Sequence, residues 1–265
     1  MIRSVRRATF YVVRGSSARL ANSERRTQTV APLMRLGIVG TGKMGAEIEA
    51  VAAQRGHDVV WKLSSAENAG GAGLTAARMA AADVVFEFTR PAAVAANLMA
   101  LAALGATVVC GTTGWVQDLP RVTEAFDAGG GALVHAANFS VGVRLFFEVA
   151  TRAARLYPPA GYAAYLVEEH HAEKRDAPSG TAKTIAAIFE IETGQTLPVT
   201  SVRAGSIPGT HRLVFDSPED EVEIVHRARS RRGFARGAVW AAERMAGRKG
   251  VLEFGQLLEE VQRQP

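Results

Sequence analysis

Cysteine is nearly absent from this 265-residue chain: Cys110 stands alone. That excludes an internal disulfide framework. Its setting, the apolar run "ATVVCG", reads as a small buried thiol rather than a nucleophile. Long hydrophobic runs are also missing. No stretch approaches the ~18 uninterrupted apolar residues of a membrane span, so no membrane partner is expected. Beyond the head of the chain there is little net charge. Residues 1–33 carry seven arginines against Glu24, a net of +6, and subtracting this from the chain's +5 leaves the other 232 residues at −1. A near-neutral body lacks the electrostatic footprint that nucleic acid requires. There is no internal repeat and no low-complexity tract.

The arginine-rich, acid-poor head has the composition of an organelle transit peptide. Met34, directly before the first strand-like run, gives the simpler reading of a start codon chosen too early. We expect residues 1–33 to be a disordered or untranslated extension, and the protein to be cytoplasmic.

After Met34, short apolar runs alternate with helix-length segments. "RLGIVG", "HDVVWKL", "DVVFEF", "ATVVCG" and "GALVHA" predict five strands. Helices are predicted over "KMGAEIEAVAAQRG", "PAAVAANLMALAALG" and "LPRVTEAFDAG". Strands separated by helices imply a parallel sheet covered on both faces. A helix over 141–157 ends at "YPPAG", and longer alternating strands follow: "YAAYLVEEH", "LPVTSVRAG", "HRLVFDS" and "EVEIVHRARS". One helix over 179–193 interrupts them, and the chain is expected to return to helix from 235 to 261. The fold class is therefore α/β, a Rossmann-type parallel-sheet domain (34–138) with an inserted α+β domain (139–236) whose sheet is mostly antiparallel or mixed. A helical segment (237–265) returns to the first domain.

Directly after the first strand, "GTGKMG" sets Gly40, Gly42 and Gly45 at the G-x-G-x-x-G spacing. In that context the first glycine permits a tight turn, the second admits a pyrophosphate to the backbone, and the third lets helix and strand pack closely. The acid that usually holds the ribose, about 20 residues on, is replaced by Ser64, with Glu67 slightly late. Without it, Lys62 or a serine hydroxyl could accept a 2′-phosphate, so cofactor choice leans to NADPH while NADH stays open.

The densest chemistry lies in "VEEHHAEKRDAPSGTA", residues 167–182. On a strand His170 and His171 point to opposite faces, so both serve one site only if the chain turns there. Lys174 follows at a spacing that converges in a helical turn. Asp176 and Ser179 are good caps, and a helix starting at Pro178 or Ser179 presents free N–H groups, with the Thr181 hydroxyl, to an anion. Lysine and a helix start suit a carboxylate, and a histidine suits proton delivery. A zinc site is disfavoured: adjacent histidines lack ligand spacing and no third histidine or cysteine is nearby in sequence, so no metal is expected.

This segment resembles the signature E-x-H-H-x-x-K-x-D-A-P-S-G-T-A of the dihydrodipicolinate reductase family. "FEFTRP", "GTTGW", "AANFSVGV" and "RAGSIPGTH" follow the family's order from about residue 35 onward. The resemblance implies hydride transfer from NADH or NADPH to the cyclic dicarboxylate derived from 4-hydroxy-tetrahydrodipicolinate. It implies His170 as general acid and Lys174 as second proton donor and carboxylate partner. It places His171, Ser179, Gly180 and Thr181 on the substrate, with Arg231, or Arg232 beside it, on the far carboxylate. The cofactor would lie on Gly40, Thr41, Gly42, Lys43, Met44 and Gly45, reach Ser64 and touch Thr89, with Arg90 near its adenosine or the domain interface. Gly111, Thr112, Thr113, Ala136, Ala137, Asn138 and Phe139 would line its nicotinamide side. Family members form homotetramers through the second sheet, so the same is expected here. The rivals are a homoserine- or sugar-dehydrogenase-type enzyme, which does not need the His-His-Lys segment, and a non-catalytic nucleotide-binding relative, which would be expected to lose it.

Overall fold

The computed structural model describes residues 32–263; the reading of the arginine-rich head falls, up to residue 31, outside them. The chain alternates strand and helix: β1 (Arg35–Val39), α1 (Lys43–Gln54), β2 (Asp58–Leu63), α2 (Ala76–Ala81), β3 (Val84–Glu87), α3 (Pro91–Ala103), β4 (Thr107–Cys110), α4 (Leu119–Gly129) and β5 (Ala132–His135). Then come α5 (Val141–Leu156), β6 (Ala163–His170), α6 (Gly180–Thr193), β7 (Val199–Arg203), β8 (Thr210–Asp216) and β9 (Glu221–Arg227). The chain closes with α7 (Arg232–Met245), β10 (Gly250–Glu253) and α8 (Phe254–Gln262).

Two sheets result. The first has six strands, all parallel, in the order β10-β5-β4-β3-β1-β2. Its central strands are buried on both faces, which is why "VVF" and "ALV" read as unbroken apolar runs. One face packs Leu36, Ile38 and Phe86 against α1, α7 and α8 through Ile48, Ala238, Val239 and Leu257. The other packs Val85, Val108 and Leu133 against α3 and α4 through Leu98, Val122 and Phe126. The second sheet is mixed, in the order β7-β6-β8-β9 with only the β6–β7 pair parallel. Helices α5 and α6 cover one face of it through Phe146, Ile185 and Phe189.

The sequence pattern predicts five strands in the first sheet; the sixth, β10, lies where helix was expected and pairs with β5. Val251, Phe254 and Leu258 fall at i, i+3 and i+7, so the segment mimics helical periodicity. A four-residue strand running straight into a helix leaves no turn signal to separate the two. Helix α2 was likewise not foreseen, being one and a half turns long with no buried residue. Among the described residues no helix is long and apolar enough to cross a membrane.

Candidate active site

Strand order reverses about β1: the chain goes from β1 to β2 on one side and then to β3 on the other. In such sheets the crevice beyond the carboxyl ends of these strands is where ligands bind. The glycine turn lies there. Gly40 has φ +107°, and a Cβ on it would sit 2.0 Å from the Phe88 carbonyl oxygen; one on Gly45 would sit 2.1 Å from the Gly40 oxygen. The fold itself requires these two glycines. A Cβ on Gly42 meets nothing within 4 Å, so no protein contact accounts for glycine there. Gly42 is also the N-cap of α1 and provides no side-chain cap, which leaves the first N–H groups of that helix facing open space. An exposed backbone cradle at a helix start fits a pyrophosphate.

At the tip of β2, both the Ser64 N–H and the Ser64 hydroxyl donate to one oxygen of Glu67, at 2.9 and 2.7 Å. These bonds hold the Glu67 carboxyl below its ordinary value. The acid missing from position 64 is thus returned to the strand tip by a three-residue reach. Lys62 is committed to Glu49 at 2.8 Å. Thr89 and Thr112 are drawn together because the Thr112 hydroxyl accepts the Thr89 N–H at 2.7 Å. Both hydroxyls donate to the buried Glu87. Arg90 caps α3 and is exposed, as are Thr41, Lys43, Thr113 and Ala137.

The His-His-Lys segment begins at the end of β6. His170 is its last residue and is 8% exposed, and the chain then turns, with the Lys174 N–H donating to the His171 carbonyl at 3.1 Å. The His170 Nδ1 bonds Glu168, which is fully buried. Arg203 of β7 donates to the other Glu168 oxygen at 2.6 Å and to the Asp176 carbonyl at 2.5 Å. The Ser179 N–H also reaches Glu168, at 3.3 Å. Burial alone would raise Glu168, but bonds from Arg203 and Ser201 and the nearby His170 bring it down to about 2. Burial pushes His170 below its ordinary value, Glu168 pulls it back, and Lys174 and Arg203 add to the fall. Among the described residues the His170 Nε2 has no hydrogen-bond partner, and Gly209 brings only backbone toward it: a Cβ there would stand 3.0 Å from Nε2.

Helix α6 starts at Gly180, with Ser179 as N-cap and Pro178 just outside the helix. The Ser179 oxygen accepts the Ala182 N–H at 3.2 Å and bonds the His211 Nε2 at 3.0 Å. The N–H groups of Gly180 and Thr181 therefore stay free at the helix start. Ser179 itself is 2% exposed with its hydroxyl committed inside the protein. Lys174 Nζ lies 2.7 Å from Asp176 Oδ1. Arg231 precedes α7, is exposed and makes no side-chain hydrogen bond among the described residues, whereas Arg232 is tied to Gln54 of α1.

A third histidine does stand beside the pair, contrary to the sequence expectation, because β8 runs antiparallel to β6 and sets His211 opposite Glu168. Ligand atoms of Glu168, His170 and His211 lie within 4.8 Å of one another. A guanidinium already on the carboxylate and a bond from it to His170 make this cluster ill suited to a second cation. Burial drives His211 down to about 4. Rings of His170 and His211 meet edge-on at 5.2 Å, and His226 follows at 6.5 Å. His226 lines a hollow of about 170 Å³ with Ser140 and Phe234. The histidine row thus runs from the acid–base cluster toward the loop that carries Ala136 to Phe139. A larger hollow, about 360 Å³, lies at the opposite end of the first sheet, around Met79 and Leu104, away from all of these groups.

Residues 34–139 match the family described as dihydrodipicolinate reductase, N-terminus, and residues 142–258 match dihydrodipicolinate reductase, C-terminus. A 4-hydroxy-tetrahydrodipicolinate reductase of Christiangramia forsetii is 32% identical over 242 residues, covering 86% of this chain and 99% of that one. The enzyme of the same name from Natronomonas pharaonis is 35% identical over 239 residues, covering 81% and 96%. The solved dipicolinate-bound dihydrodipicolinate reductase of Paenisporosarcina sp. TG-14 superimposes with a TM-score of 0.70 at 21% identity, over 83% of this chain and 97% of that one. That likeness is one of fold.

Proposed function

The chain belongs to the dihydrodipicolinate reductase family, and on that premise we propose how its residues divide the work. The protein is an oxidoreductase that reduces the cyclic dicarboxylate derived from 4-hydroxy-tetrahydrodipicolinate to tetrahydrodipicolinate, in the diaminopimelate route to lysine. The observation that carries the division of labour is the setting of His170. One ring nitrogen is fixed by a buried carboxylate and the other is free, beside a lysine and a helix start whose Gly180 and Thr181 N–H groups are free.

A nicotinamide cofactor supplies the hydride. The backbone of Gly40 to Gly45 holds its pyrophosphate, and Thr89, Thr112 and the loop from Ala136 to Phe139 border its nicotinamide side. Glu67 takes the ribose hydroxyls at the tip of β2. Since Glu67 brings a negative charge there and Lys62 is engaged elsewhere, a 2′-phosphate is repelled and NADH is preferred, a reversal of the leaning drawn from Ser64 alone.

His170 delivers the proton that the electron-rich product of hydride addition must take up. In its charged form Nδ1–H stays on Glu168 and Nε2–H points outward; after transfer the Nδ1–H tautomer remains, so the ring need not turn. Lys174 and the Gly180 and Thr181 N–H groups grip one carboxylate, His171 stands beside them, and Arg231 meets the other. Holding both carboxylates fixes which ring face meets the hydride, an effect of positioning. Ser179 contributes by capping the helix rather than by touching substrate.

We assign residues 34–138 to cofactor binding, 139–236 to substrate binding and subunit association, and 237–265 to closing the first sheet. We infer a cytoplasmic homotetramer built through the second sheet, whose edge strand β7 exposes Val202. Light scattering should give four chains per particle. The reaction is tested by coupling purified protein to the preceding synthase and following NADH and NADPH oxidation separately. Oxidation dependent on the synthase product supports the reading, and none with either cofactor contradicts it.

A further inference from the structure

Glu87 is the last residue of β3 and is fully buried. Four groups surround its carboxyl: the hydroxyls of Thr89 and Thr112, the Asn97 amide at 3.0 Å and the Cys110 thiol at 3.6 Å. Each offers a hydrogen. Asn97 is turned to do so by Asn68, whose amide donates to the Asn97 oxygen at 2.9 Å, and the Thr112 oxygen already accepts the Thr89 N–H. All four can turn a hydrogen toward Glu87, an arrangement that suits a carboxylate. Among the described residues no lysine, arginine or histidine forms an ion pair with it. A buried charge without a counter-charge is costly to fold.

Its position suggests what offsets that cost. Glu87 lies at the strand-order reversal, between the glycine turn and the loops bordering the nicotinamide side. Hydride donation carries the C–H bonding pair from the ring to the substrate and changes the ring from neutral to a charge of +1. We propose that Glu87 is a fixed negative charge that favours the oxidised, positively charged nicotinamide over the reduced, neutral one. It thereby lowers the energy of charge as it develops during hydride donation, as fixed charges aimed at a reacting centre do. Thr89 and Thr112 spend their hydrogens on Glu87 and so hold the charge in place. The proposal rests on the cofactor placement given above.

Binding of NAD⁺ and NADH to the whole protein, measured by calorimetry without substrate, tests it. Glu87→Gln keeps the shape and removes the charge. We expect it to weaken NAD⁺ binding about tenfold more than NADH binding, a difference of about 1.4 kcal/mol, while Thr112→Val weakens both alike. An equal loss of both forms in Glu87→Gln would overturn the proposal, leaving Glu87 as a loop strut. Should Glu87→Gln not fold, the wild-type protein carries the test: benzamide adenine dinucleotide, isosteric with NAD⁺ but uncharged in the ring, should bind about tenfold more weakly than NAD⁺. Equal affinities would overturn it. Failure of the wild-type protein to bind either natural form, or their 2′-phosphorylated counterparts, would instead overturn the cofactor placement beneath it.

Discussion

Replacing Glu168 by glutamine separates the acid–base cluster from simple packing, because the two side chains have nearly the same volume. Glu168 holds the His170 Nδ1, Arg203 Nη2 at 2.6 Å and the Ser179 N–H at 3.3 Å at once, with Ser201 bonding it too. An amide oxygen can keep one or two of them. The Arg203 guanidinium, whose Nε already lacks a partner and whose side chain is 17% exposed, loses its counter-charge. Breaking a buried pair by removing one partner costs about 3–5 kcal/mol, so the thermal midpoint should fall by several degrees. The effect on catalysis is distinct. The charge that raises His170 is gone, burial acts unopposed, and the ring holds its proton less well at neutral pH. A general acid works only when charged, so kcat falls as pH rises through its pKa, and this limb should move toward acid. At neutral pH kcat should drop about 10²-fold or more, within the usual range for losing proper acid–base function. The KM for substrate should change little. Stopped-flow assays across pH on wild-type, Glu168→Gln, His170→Ala and the double variant check this. The reasoning is refuted if the limb moves toward alkali, or if Glu168→Gln costs as much kcat in the His170→Ala background as alone.

Other outcomes follow from the same geometry. His170→Ala should lower kcat while leaving the substrate Kd nearly unchanged, and Lys174→Ala should damage both, as steady-state and binding measurements can show. Ser179→Ala removes the α6 cap and strands the His211 Nε2, so stability should fall by about 1 kcal/mol or more and the substrate KM should rise; an unchanged thermal midpoint would contradict this. Glu67→Ala should shift the NADH:NADPH ratio of kcat/KM toward NADPH by tenfold or so, and no shift would remove Glu67 from the ribose site. Stability should depend on acid in two stages. His211, near 6.5 when unfolded and about 4 when folded, contributes stability that is lost as pH falls between those values, up to about 3 kcal/mol. Glu168, at about 2 when folded, adds a second loss from about 4.5 downward. Thermal melts of His211→Phe should show a smaller loss over the first stage, the remainder coming from His135, His170 and His226, which burial also lowers.

Much of the site was legible because its signals are local. Gly40, Gly42 and Gly45 lie between a strand and a helix, and His170, His171, Lys174 and the α6 start lie within a dozen residues. The partners that tune them are not local. Arg203 reaches Glu168 only because β7 pairs with β6, and His211 only because β8 does; no spacing in the sequence encodes those registers. Glu168 stood in the E-x-H-H pattern, but its task became visible only with the strand's side chains in place. Glu67 was read as late because position along the chain, rather than the reach of a bent turn, was used to judge it. Strand β10 was missed since its apolar residues also satisfy a helical period. Glu87 is one charged residue in an apolar run, and nothing in the sequence shows that four donors surround it.

A ternary structure with the reduced cofactor and dipicolinate tests the central claim most directly. The account predicts His170 Nε2 within hydrogen-bond reach, about 3 Å, of the ligand or of one bridging water. Lys174 and the Gly180 and Thr181 N–H groups should lie on one carboxylate, and the nicotinamide on the opposite face of the ring. A ligand held elsewhere, with His170 facing protein or bulk solvent in the closed form, would contradict it.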